Sequence, residues 1–313
     1  MKAIQFLTIT ALGAALFASC SNEEELTRGS YPNDNIIRVT AGVNNMTRGN
    51  EATTALNKDF SLNVVNSTND SYSYANEIFS LKGGTEWSST NKLLWENLAT
   101  PVEIVALYPA KDANTFADVF SKETNTYGTI SYGVKPNQST RDDANDLLLY
   151  HNTSFVPKND LENGKLDIQF KHAFCRVDIE VTIGTEFNAT NGLAANPIQG
   201  IKVEGTKTTA KIGFTPTAPF FTVTPSASGE VTSITPTLDD FTQAASATDQ
   251  AVAKYSCIVI PQTATLKVVL HTSDMEYEWT DTQTVLESGK QYTLQLNLKK
   301  SATTRNFILR ERK

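Results

Sequence analysis

The sequence predicts an all-β protein, and three observations carry that prediction. No long window repeats its apolar residues every 3.6 positions, as an amphipathic helix would. Short runs in which apolar and polar residues alternate recur along the whole chain, the spacing of half-buried strands. Thr, Ser, Asn and Val are abundant while Gly and Pro punctuate the runs, a composition that suits strands and tight turns.

The chain opens on a short basic start, Met1-Lys2, and an apolar stretch from Ala3 to Phe17 broken by Gln5, Thr8 and Thr10. That stretch is too short and too polar to span a bilayer and reads as an export signal. Phe17-Ala18-Ser19-Cys20 resembles the lipobox of bacterial lipoproteins, with Phe17 in place of the usual Leu, and makes Cys20 the expected site of lipidation. Ser21-Asn22-Glu23-Glu24-Glu25 is similar to the acidic tag that sends lipoproteins of Bacteroidales to the outer face of the outer membrane. Each buried methylene of an acyl chain contributes roughly 0.8 kcal/mol, so two or three chains anchor essentially irreversibly. The expected location is therefore the cell outer membrane, surface-exposed, with outer-membrane lipid held through acylated Cys20.

Removing the first 19 of 313 residues leaves 294, which suits two domains of ordinary size. Loss of Lys2 takes the net charge from -7 to -8, mild and scattered, so no nucleic-acid partner is expected. Residues 21–35 are polar and read as a flexible tether. In the strand expected over Ile36 to Val43, Ile37, Val39, Ala41 and Val43 share one face and Arg38, Thr40 and Gly42 the other. Asn44-Asn45 ends it, and Met46-Thr47-Arg48-Gly49-Asn50 is turn chemistry carrying an exposed arginine, a loop easily cut. Further strands are expected at Phe60 to Val65, Glu77 to Leu81, Lys92 to Trp95 and Val102 to Tyr108. Lys111 to Val119 reads as a short helix or an elaborated loop, Asp146 to Tyr150 as a compact apolar run, and Leu161 to Gly164 as a turn.

Between Lys165 and Ile183 the alternation changes phase. Leu166, Ile168 and Phe170 place even positions inward, whereas Ala173, Cys175, Val177, Ile179, Val181 and Ile183 place odd positions inward. One residue of slip exchanges the faces of a strand, through a bulge near His172 or through passage from one sheet to the next. A domain boundary is set near Phe170, giving an N-terminal β-sandwich at 36–170 and a C-terminal one at 171–300. In the second half, strands are expected at Ile201 to Val203, Ala210 to Phe214, Phe220 to Thr224, Tyr255 to Ile260, Leu266 to His271, Tyr277 to Trp279 and Tyr292 to Leu298. Residues 301–313 form a basic tail with an apolar cluster, Phe307-Ile308-Leu309.

Catalytic signatures are lacking. His151, His172 and His271 do not stand at metal-ligand spacing with one another or with a cysteine, and there is no nucleophile elbow, phosphate loop or zinc-protease motif. No enzyme activity, cofactor or metal is expected, and His172 reads as a packed interdomain residue. Asp142-Asp143-Ala144-Asn145-Asp146 lacks the spacing and glycine of a calcium loop and reads as a solvated turn. Cys175 and Cys257 could pair in an exported protein, but their apolar β surroundings favour two buried reduced thiols. If the chain instead binds surface glycans without assembling, Trp87, Trp95 and Trp279 are the aromatic platforms available, each more often a core residue.

The lipoprotein start, the early strand with its Thr47-Arg48-Gly49 loop, Asp146-Leu147-Leu148-Leu149-Tyr150, Phe170-Lys171-His172-Ala173-Phe174 entering a long strand, and Gly289-Lys290-Gln291-Tyr292 follow one another in an order that resembles the fimbrillin family of Bacteroidales. The resemblance is spread over nearly the whole chain. It implies two tandem transthyretin-like β-sandwich domains and a structural subunit of a fimbrium. In that family an Arg-directed protease removes the first strand, and a strand of the next subunit fills the groove. Carried over here, the cut falls between Arg48 and Gly49, with Arg28 a poorer second because it precedes the strand. The implied partners are other fimbrial subunits and a host or bacterial surface ligand. The tail after Leu298, residues 301–313 with their apolar cluster as a short donor segment in such a scheme, is shorter than the donor segment common in shaft subunits of the family. If it does not reach a neighbour, the resemblance implies an anchor, tip or minor subunit.

Overall fold

The computed structural model describes residues 34–43, 56–83, 86–110, 120–121, 126–215, 217–300 and 307–312. The chain runs through β1 (Val39–Val43), β2 (Phe60–Val65), β3 (Tyr74–Gly83), β4 (Glu86–Ser89), β5 (Val102–Tyr108), β6 (Phe120–Ser121), β7 (Thr126–Tyr127), β8 (Thr129–Gly133) and β9 (Leu148–Phe155). A single helical turn, α1 (Pro157–Asp160), leads to β10 (Leu166–His172) and then β11 (Cys175–Ile183). There follow β12 (Gly200–Glu204), β13 (Thr209–Phe214), β14 (Phe221–Pro225), β15 (Thr237–Thr242), β16 (Ala251–Val259), β17 (Gln262–His271), β18 (Glu276–Leu286), β19 (Gln291–Leu298) and β20 (Phe307–Arg312). The protein is all-β.

Seven strands form a ring in the order β1-β10-β9-β5-β2-β3-β4, closed by one bridge between Val39 and Trp87. The later chain forms a five-stranded sheet β15-β16-β11-β19-β20 and two three-stranded sheets, β12-β17-β18 and β14-β13-β8. β6 and β7 pair with each other. The strand β8, early in the sequence, joins the later half by pairing with β13 from Thr209 opposite Gly133 to Gly213 opposite Thr129.

The phase change is an exchange of sheets. Leu166, Ile168 and Phe170 of β10 are fully buried inside the ring, whereas Cys175, Val177, Ile179, Val181 and Ile183 of β11 are buried in a second core. Between them, Ala173 donates its N–H to the Leu147 carbonyl at 2.8 Å, and the Phe174 carbonyl accepts from Gly289 N at 2.9 Å. The ring core is aromatic: Phe60 stacks on Phe79 at 5.3 Å and meets Trp87 at 4.9 Å and Phe170 at 5.6 Å. The second core is mainly aliphatic, drawn from β11, β16, β17 and β19. β5 belongs to both, with Ile104, Ala106 and Tyr108 facing the ring and Val105 and Leu107 facing away. Burial on two faces explains why its sequence from Ile104 to Tyr108 is an unbroken apolar run and does not alternate.

Two sequence expectations need correction. Lys92 to Trp95 is not a strand; it contributes an isolated bridge, Ile36 to Leu94, flanked by single backbone hydrogen bonds to Ile37 and Asn35 that do not continue into a ladder. The acidic run is not a solvated turn throughout. Asn145 and Asp146 are buried, Asp146 paired with His172 Nδ1 at 2.9 Å, while Asp142 stays nearer solvent between Lys58 at 2.9 Å and Lys135 at 2.5 Å. Cys175 and Cys257 are free and buried, and burial pushes the Cys257 thiol up to about 12.

The first strand and its seat as candidate functional site

The segment from Asn35 to Val43 is stitched to the ring in two stages. Ile37 N donates to the Leu93 carbonyl at 2.9 Å and Trp95 N donates to the Asn35 carbonyl at 2.8 Å. The chain then turns to β10: Leu166 N donates to the Arg38 carbonyl at 2.8 Å, and β1 pairs in parallel with β10 from Val39 opposite Leu166 to Val43 opposite Phe170. On its other edge β1 meets β4 only at Trp87. It is therefore held along one side, with little on the second.

Alternation decides what β1 covers. Ile37 and Val39 are 5% and 3% exposed, and Ala41 and Val43 pack half-buried over the same aromatic core. The opposite face is polar: Thr40 Oγ1 donates to Asp167 Oδ1 at 2.9 Å, and Arg38 grips Asp34 through two hydrogen bonds of 2.6 and 2.9 Å. The Arg38 hydrogen bond holds the Asp34 carboxyl down to about 2, against a smaller opposing effect of burial. A pair this exposed contributes little to stability.

Burying an isoleucine or valine side chain is worth about 1.5–3 kcal/mol each, so Ile37 and Val39 together contribute about 3–6 kcal/mol. That is a large share of the roughly 5–15 kcal/mol that separates folded from unfolded domains. A ring without β1 would also leave one edge of β10 unpaired, with buried-type N–H and C=O groups facing water or nothing. The seat must be filled, though not necessarily by β1 itself.

At the other end of the chain, β20 lies antiparallel on β19, from Leu296 opposite Phe307 to Gln291 opposite Arg312, as the last strand of its sheet. The sequence marked its apolar cluster but not its pairing, which depends on a partner edge that only the fold supplies. Cys20, Arg28, Arg48 and Gly49 fall outside the described residues, as do Lys111 to Val119 and most of the tether. Trp87, Trp95 and Trp279 are 5%, 3% and 5% exposed, so all three are core residues and none is a surface platform. His172 is buried against Asp146 at the passage from β10 to β11. His151, which the sequence did not single out, lies between Glu103 Oε1 at 2.6 Å and the Phe220 carbonyl at 3.2 Å, joining the ring to the β13–β14 hairpin. No local signal could have found that contact, because its partners stand 48 and 69 positions away.

No curated protein matches this chain. Among solved structures, a cell adhesion protein of Bacteroides ovatus is 13% identical with a TM-score of 0.58, over 91% of this chain and 97% of that one. A cell adhesion protein of Bacteroides uniformis is 15% identical with a TM-score of 0.55, over 90% and 98%. A fimbrial assembly protein of Parabacteroides distasonis is 12% identical with a TM-score of 0.46, over 88% and 95%. At such identities the first two speak for a shared fold. The fimbrillin-like family model matches residues 40–308, beginning inside β1 and ending inside β20. That span takes in every sheet of the fold, and this chain belongs to the fimbrillin-like family.

Proposed function

We propose that this protein is a structural subunit of a cell-surface fimbria, exported as a lipoprotein on acylated Cys20 and assembled by strand complementation once a cut after Arg48 frees β1. Family membership supports a fimbrial or adhesin-like role at the cell surface. The observation that carries the finer reading is the one-sided hold on β1, a strand that seals an aromatic core yet has a single bridge on its second edge. While the chain is intact, β1 is tethered and its effective concentration at the seat is high. A cut in the following loop turns it into a separate ligand and removes that advantage. A strand from a neighbour then competes for the vacated seat, and because donor and acceptor differ, the contact repeats into an open filament.

β20, paired on one side and lying at the end of its sheet, is the donor candidate in this chain. The division into two sandwich units at 36–170 and 171–300 belongs to the same proposal; the two separate cores support it, with β8 as the element that crosses between them.

Digestion of the full-length protein with an Arg-specific protease is expected to yield a new amino terminus at Gly49, loss of the β1 peptide and a ladder of oligomers by gel filtration and electron microscopy. The Arg48→Ala variant should stay monomeric under the same treatment. Complete cleavage after Arg48 with the product remaining monomeric overturns the proposal, as does filament formation by Arg48→Ala.

A further inference from the structure

The ring is parted where β9 meets β10. Their pairing is confined to Lys171 opposite Leu149 and His172 opposite Leu148. Beyond that point the strands diverge, and the connection through α1 and the turn at Asn163-Gly164, with φ of 50° and 75°, spans the gap. Between the parted strands lies an open cleft of about 640 Å³, inside the roughly 300–1,000 Å³ range of small-molecule sites.

Its chemistry is one-sided. Tyr150 lines the β9 wall, half-buried against the ring core, and burial pushes its hydroxyl pKa up, against an opposing hydrogen bond with Asn152 and with smaller contributions from Asp167 and Asp160 in the upward direction. The phenol therefore remains a hydrogen-bond donor beside an aromatic face. Asn152 and Gln169 add amides, and Asp160, Glu162 and Asp167 add carboxylates, while no Lys, Arg or His lines the cleft. The carboxylates are partly oriented already: Asp167 accepts from Thr40 and from Gln169 Nε2 at 2.6 Å, and Asp160 from Val156 N at 2.6 Å. An ionised carboxylate offers about four lone-pair sites, so each keeps acceptor capacity for a ligand. Among the described residues, no three of His, Cys, Asp and Glu converge to hold a metal ion.

We infer that this cleft binds a saccharide that is neutral or carries an amino group. A sugar presents an apolar C–H face for the tyrosine ring and a rim of hydroxyls that donate to carboxylates and exchange hydrogen bonds with amides. A carboxylate-lined cleft without a cation repels sialylated or sulfated glycans and discriminates against them. The site is distinct from the buried tryptophans and touches β1 through the hydrogen bond from Thr40 to Asp167.

The test uses the full-length protein with four probes: lactose, mannobiose, glucosamine and 3′-sialyllactose, followed by saturation-transfer NMR and calorimetry. At least one of the first three should bind and sialyllactose should not. Tyr150→Ala is expected to weaken the bound sugar by about tenfold or more, the order of one lost aromatic contact. Because Tyr150 also packs on the core, Gln169→Ala on the exposed rim is the companion variant, expected to weaken binding about threefold at unchanged melting temperature, as for one lost hydrogen bond. Absence of binding by lactose, mannobiose and glucosamine up to about 10 mM, a very weak limit, overturns the inference. So does sialyllactose binding as tightly as the neutral sugars, or a sugar bound equally well by wild type and both variants.

Discussion

β1 and β11 are both laid in parallel against a neighbour in a protein built mostly from antiparallel pairs, yet they hold opposite stations. β11 pairs along its whole length on both edges, with β16 from Cys175 to Ile183 and with β19 from Arg176 to Ile183, and its five inward residues are at most 1% exposed. β1 pairs along β10 alone, has one bridge to β4, and fully buries only Val39 within the strand. Parallel pairing is not what makes a strand replaceable. What matters is whether its second edge is engaged and whether its side chains seal a core without being surrounded by it.

The largest expected effect comes from placing a charge in each strand. Val181→Asp in β11 buries a carboxylate between two neighbours and should cost more than about 4–5 kcal/mol, the range in which single substitutions abolish folding. The expected result is no cooperative melting transition by circular dichroism. Val39→Asp in β1 should cost about 2–4 kcal/mol, the lost burial plus the desolvation of a carboxylate, relieved by release of a strand held along one edge. A synthetic peptide spanning residues 34–43 of the native sequence should recover much of the lost melting temperature of Val39→Asp and none of Val181→Asp. Equal behaviour of the two variants breaks the comparison.

A smaller effect concerns pH. The Asp34 carboxyl is lowered from 3.8 to about 2 when folded, chiefly by the hydrogen bond from Arg38. A depressed folded value means that its contribution is present above about pH 4 and fades as pH falls towards 2. Amide protection factors in Val39–Val43 should therefore drop across that window while those in β11 hold, and Arg38→Gln should remove the β1 step. A step of the same size in β11 would assign the change to the whole fold.

Where the sequence was legible, it was so through alternation. β2 and β5 start and stop where the apolar pattern does, and β19 extends the expected Tyr292–Leu298 strand by one residue. The slip of phase after Phe170, open in the sequence to a bulge or to a change of sheet, falls where the chain passes from one core to the other. β4 and β15 escaped notice because each is short and polar on much of its length, whereas β8 does alternate, with Ile130 and Tyr132 buried between exposed neighbours, but over five residues only. Asp146 looked like part of a solvated acidic turn; its burial depends on His172, 26 positions away, and no local rule pairs them.

The seat of β1 lies further from the sequence still. Period-two patterning shows that Ile37 and Val39 face inward, but not that β10, more than a hundred residues on, lies beside them in parallel. The amino-acid sequence by itself determined the all-β class, the inward face of each strong strand and the point where the alternation changes phase, because these follow from side-chain polarity at a fixed spacing. Only the tertiary structure decided which edges meet, that β1 is held on one side, and that β9 and β10 part around a carboxylate-lined cleft, because backbone pairing is blind to side-chain identity and is chosen by how the cores close.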